Sequence, residues 1–205
     1  MKDEGRRNKD LHREILLKSQ PCKANMGYFS TLKTVLFSPL DMPEQVLSEE
    51  GYLHATLFAL ACCLLSLLFF LIAGTIATVV IGSWHIIAVI GIFSIANLIF
   101  LPIGVHFMAL LYHVSCKLLG GVGEYNETFR AVAYGYGPLA TTLVPLFHLA
   151  AGTWMLILHG IFLKEVHDLS DLRAILAVLM VVFVQLLIGA TIAIIFVLTR
   201  KEVFA

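Results

Sequence analysis

The chain has 205 residues, 59% of them hydrophobic, and its 14 Lys and Arg balance 14 Asp and Glu. Soluble domains carry roughly 45–50% apolar residues, so this content, with a mean hydropathy of +0.89, excludes water as the only solvent. A net charge of zero supplies no field to gather nucleic acid. The four cysteines make neither a CxxC pair nor a zinc spacing; they read as buried thiols, and no cofactor or metal is implied.

Sixteen of the 28 charged residues fall within the first 50 positions, which marks residues 1–50 as a cytosolic arm and 51–205 as a membrane domain. The arm carries eight basic and eight acidic residues, unlike a cleavable signal or transit peptide. Tyr28, Phe29, Leu32, Val35 and Leu36 recur at helical spacing beside Lys33, ahead of Pro39 and Pro43. This pattern predicts a short amphipathic helix lying on the membrane surface.

An uncharged run covers residues 55–81. At ~1.5 Å per residue it more than crosses a hydrocarbon core of ~30 Å. After the break at Gly82, Ser83, Trp84 and His85, a second uncharged run covers 86–116, with Pro102 and Gly104 inside it. Residues 117–130 hold Gly120, Gly121, Gly123, Glu124 and Glu127 and form a charged surface loop. The uncharged run 131–163 would make a single helix of ~50 Å, whose tilt would exceed the ~40° that membrane helices reach. Pro138, Pro145 and Gly152 interrupt it, so we expect two spans, 131–147 and 150–164, or a re-entrant hairpin. A single span is the alternative. A charged loop follows, and 174–199 is the last span. The expected fold is therefore an all-α polytopic bundle of five spans with the N-terminus cytosolic. That orientation leaves 12 of the 14 Lys and Arg inside.

Tyr134-Gly135-Tyr136-Gly137-Pro138 follows a Gly-rich loop and Arg130 and precedes Pro145. Together with Phe37-Ser38-Pro39, Trp154 and the loop from Glu165 to Ser170, it resembles the central signature of the YIP family. The resemblance covers about residues 35–198 and implies a five-span membrane domain. Eukaryotic members interact with Rab-type GTPases, so such a partner is implied only for a eukaryotic host. Many of them carry serine at the place of Gly137, an Asp-Leu-Tyr-Gly-Pro motif before the membrane domain, and a longer cytosolic region. The compact form here looks more like bacterial and archaeal members. A bacterial inner membrane is thus favoured, with Golgi or endoplasmic reticulum if the chain is eukaryotic.

Arg130 stands beside an apolar run and needs a partner or a path to the surface; Glu124 and Glu127 are the nearest carboxylates in sequence. Pro138 and Pro145 should bend or break the third span, while Tyr134 and Tyr136 flank glycines that permit close helix packing. With His167 in the loop before the last span, these residues are the interaction candidates. No nucleophile, base or cofactor constellation points to an enzyme. The expected role is a non-enzymatic scaffold that docks a membrane partner, another copy or lipid through its cytosolic loops and broken third helix. The alternative is a small transporter or channel component that uses the prolines at membrane depth with His106, His113 and His159.

Overall fold

A computed structural model describes residues 27–49, 51–82, 85–143 and 147–203. Among them every regular element is helical: α1 (Tyr28–Phe37), a 3-10 turn (Pro39–Asp41), α2 (Met42–Ser48), α3 (Leu53–Ile81), α4 (His85–Leu118), α5 (Tyr125–Gly135), a 3-10 helix (Gly137–Leu143), α6 (Phe147–His167) and α7 (Asp171–Val203). The first 26 residues, Trp84 and Pro145 lie outside the described residues.

The long helices form because their runs offer no charge to solvate and bond every backbone group internally. Three stretches among the described residues are long and apolar enough to cross a bilayer, namely Leu53–Val80, Ile99–Leu118 and Asp171–Thr199. The ends of these helices are set by local chemistry. At the close of α4, Gly120 takes φ +88, its amide bonds to the carbonyl of Lys117 at 3.1 Å, and the amide of Gly121 bonds to that of Cys116 at 2.8 Å. This is a Schellman cap, which needs a residue free to enter the left-handed region. Asp168 (φ 51) plays the same part after α6, with the amide of Leu169 bonded to the carbonyl of Lys164 at 2.9 Å.

The expected third span, 131–147, is not one helix. Residues 131–135 complete α5, and Pro138, which lacks an amide proton and would collide with the carbonyl four residues back, diverts the chain into the 3-10 helix. Seven residues at ~2.0 Å each give only ~14 Å, less than half a hydrocarbon core. The single-span alternative fails on connectivity: the amide of Val122 bonds to the carbonyl of His167 at 3.1 Å. The loop before α5 and the loop after α6 are therefore on one side of the bundle, and the chain between them descends and returns. We call that side the loop face.

The core lies near the loop face. It gathers Phe58, Ala59 and Cys62 of α3, Val105, Ala109, Tyr112 and Cys116 of α4, Phe129 and Ala131 to Tyr134 of α5, Leu158, Phe162 and Val166 of α6, and Ala174, Ala177 and Val181 of α7. The arm joins it through Val35, Met42 and Val46.

Candidate functional site

The segment Tyr134 to Pro138 is the junction of the fold. Tyr134 is buried, and its hydroxyl donates to Glu49 Oε2 at 2.5 Å. With that proton committed, the same oxygen accepts from Nδ1 of His54 at 2.8 Å, which fixes the tautomer of His54. His54 Nδ1 also lies 3.4 Å from Glu49 Oε1. Gly135 has no side chain for a reason of space: a Cβ there would sit 2.3 Å from the His159 ring. A Cβ at Gly137 would sit 2.6 Å from Val35 on α1. Tyr136 meets His159 edge-on with ring centroids 6.2 Å apart, and Pro138 is buried. Motif positions 134, 135 and 137 thus receive the start of α3, the middle of α6 and the arm.

Arg130, one turn before Tyr134, is also buried. Its Nε donates to the main-chain carbonyl of Val46 at 2.7 Å, so it reaches the arm where sequence proximity points to Glu124 and Glu127. Glu127 turns the other way: its Oε2 accepts the amide of Glu124 at 2.9 Å, satisfying one orphan donor at the start of α5. Arg130 and Tyr134 together fasten α2 and the residues after it to α5.

The histidines fall along one face of α5. His106 Nδ1 lies 3.1 Å from the Tyr125 hydroxyl, with its ring stacked 4.4 Å from Phe129. His113 Nδ1 lies 3.0 Å from Thr128 Oγ1, and His167 Nε2 lies 2.8 Å from the same oxygen. Thr128 donates its own proton to the carbonyl of Glu124 at 2.9 Å, so both ring nitrogens are donors to it. His159 is buried; its Nε2 donates to the carbonyl of Val132 at 3.2 Å, which leaves Nδ1 to accept from the Tyr112 hydroxyl at 3.2 Å. Positions 125, 128 and 132 of α5 therefore each hold a histidine from a neighbouring helix. His106, His113 and His159 are not brought to one point, and no three His, Cys, Asp or Glu among the described residues form a metal-binding group.

His167 has a second peculiarity. Its Nδ1 is buried with no hydrogen-bond partner among the described residues, and a Cβ on Gly121 would lie 2.9 Å from that atom. Burial first, then the neighbouring His113 and Lys117, lower its pKa from the usual 6.5 to about 4. A neutral ring with an idle acceptor is the consistent state.

On the outer surface of the loop face, Glu124 is exposed, as are Val122, Leu118, Leu172, Glu165, Asp168 and Arg173. Lys164 Nζ meets Asp171 at 2.7 Å across the α6–α7 loop. The interaction candidates thus divide by burial. Arg130, Tyr134, Pro138 and His167 are inside, Tyr136 and Glu127 are partly covered, and Glu124 faces out.

The partners Glu49, His54, Tyr112, Thr128 and the Val46 carbonyl do not stand out in the sequence. A buried tyrosine hydroxyl requires a polar neighbour, but nothing in the sequence singles out Glu49 or His54 as that neighbour.

No curated protein and no solved structure matches this chain. The family model described as Yip1 domain matches residues 33–193, a range that holds the whole Tyr134 to Pro138 junction and most of all three helices long enough to span. This chain is a multi-pass integral membrane protein and belongs to the Yip1-domain family.

Proposed function

We propose that the chain is a non-enzymatic YIP-type scaffold that docks a second membrane protein, another copy of itself or lipid on its loop face. What supports this is the division of residues around the broken third segment. Its polar and glycine positions are spent inside, on Glu49, His54, His159 and Val35, while the loop before α5 is joined to the end of α6 by the bond from the Val122 amide to the His167 carbonyl. The surface so fixed carries apolar Val122, Leu118 and Leu172 among Glu124, Glu165, Asp168 and Arg173, the mixture of apolar centre and charged rim that protein interfaces favour. A Rab-type GTPase is the partner only in a eukaryotic host. The positive-inside balance favours a cytosolic loop face.

Photo-crosslinkers placed singly at Val122, Leu172 and Phe196 in intact membranes test the reading. Discrete protein or headgroup adducts at the first two positions, and acyl-chain adducts alone at Phe196, are expected. Recovery of bare monomer from both loop positions counts against docking there.

A further inference from the structure

The arm helix α1 has two unlike faces. Thr31 and Val35 are fully buried: Val35 fills the space left by Gly137, and the Tyr28 hydroxyl lies 3.4 Å from Cys62 Sγ with its ring 5.4 Å from that of Phe58. The opposite face presents Phe29 at 82% and Phe37 at 79% exposure, with Leu40 at 76% just beyond and exposed Lys33 between the two rings. Residues 29, 33 and 37 are four apart and share one stripe of the helix.

The depth of α1 decides what covers that stripe. Cys62 is nine residues into α3 (Leu53–Ile81), ~14 Å along its axis, and Phe58 is about half as far. On either side of this level α3 exposes Leu57, Leu64 and Leu68 to the bilayer that its length and composition require. Hence α1 is held against a membrane helix at, or just inside, the start of the hydrocarbon, and its apolar stripe continues the lipid-facing surface of α3. Lys33 suits the same level, since its stem can lie along apolar chains while the ammonium reaches phosphate.

We propose that α1 is embedded in the bilayer leaflet on the loop-face side, lying in the plane of that leaflet with Phe29, Phe37 and Leu40 among the upper acyl chains and Lys33 at the phosphates. The glycine at 137 then has a purpose beyond packing: it seats the helix that anchors the arm in lipid.

Tryptophan at an exposed aromatic position reports its surroundings with little disturbance to the buried face. Phe29→Trp and Phe37→Trp chains, with Asp41→Trp as a control in the following turn, are reconstituted in phosphatidylcholine–phosphatidylglycerol vesicles. The added emission over the parent chain is followed with acrylamide and with lipids brominated near the top or the foot of the acyl chain. At 29 and 37 the added signal should be quenched most by bromine near the top and little by acrylamide, and at 41 the reverse. Strong acrylamide quenching at 29 and 37 without bromolipid quenching would place the stripe in water and overturn the proposal. Silence to both quenchers would mean that protein, such as a second copy, covers it, and strongest quenching at the foot of the chains would mean a crossing helix; either result overturns it too.

Discussion

The loop-face half of the bundle and its distal half are built from similar residues and held by different means. On α7, Ala174, Ala177, Val178 and Val181 are buried at helical spacing, yet from Leu186 to Thr199 every residue is exposed. On α4 the buried stripe of Val105, Ala109, Tyr112 and Cys116 belongs to the half nearer the loops. The packed half owes its order to small residues, which let backbones approach, and to hydroxyl–imidazole and arginine–carbonyl bonds, because apolar side chains gain little by leaving lipid for one another. The distal stretch of α7 has no such contacts and is left to lipid. High hydropathy therefore reports the solvent of a helix and says little about its neighbours.

The comparison breaks first at Gly135. Its missing Cβ would stand 2.3 Å from a His159 ring that is bonded at both nitrogens and has nowhere to shift. Gly135→Ala should cost about 3 kcal/mol, at the upper end of overpacking effects, seen as a lowered unfolding midpoint in detergent. A Gly135→Ala chain that also carries His159→Ala should recover part of the loss. Arg130 comes next. Removing a buried guanidinium that donates to the Val46 carbonyl at 2.7 Å leaves an unsatisfied acceptor, so Arg130→Ala should cost about 2–3 kcal/mol. It should also speed protease cleavage between α2 and α3, because that is where the arm is fastened. Stability unchanged by either substitution would place the organising contacts elsewhere.

This division also explains what the sequence discloses. Uncharged length marks out the helices at 53–81, 85–118 and 171–203, since the cost of burying charge in lipid depends only on composition along the chain. The interruption at Pro138 is legible for the same local reason, a proline without an amide proton. That the interruption takes the form of a 3-10 helix is not, because its partners, Val35 and Phe58, come from α1 and α3, far back along the chain. The pairings of Arg130 with a main-chain carbonyl and of Tyr134 with Glu49 are hidden too. A carbonyl leaves no trace in a sequence, and short-range charge pairing favours Glu124 and Glu127.

Acid should weaken the packed half selectively. His167 titrates near 6.5 when unfolded and near 4 in the fold, so between those values the unfolded chain binds a proton that the folded one refuses. Stability therefore holds above about pH 6.5, falls as pH drops toward 4, and changes no further from this group below that. The loss should be about 1–2 kcal/mol once solvent near the loop is allowed for. His167→Gln keeps a donor for Thr128 without the titration, so its stability profile should be flatter across that window. An equally steep profile would assign the slope to other groups.

The smallest effect is expected in the distal half, where a methyl added to Gly189 of α7 would meet nothing within 4 Å. Adding that methyl displaces only lipid, and the gain in helix preference over glycine is opposed by no contact. Gly189→Ala should therefore change the unfolding free energy by no more than about 0.5 kcal/mol, or raise it slightly. The same chemical change at Gly135 and at Gly189 thus isolates the environment as the variable. A large destabilisation at 189 would mean that this face of α7 rests on another protein surface, and the distal half would then owe its order to a partner in place of lipid.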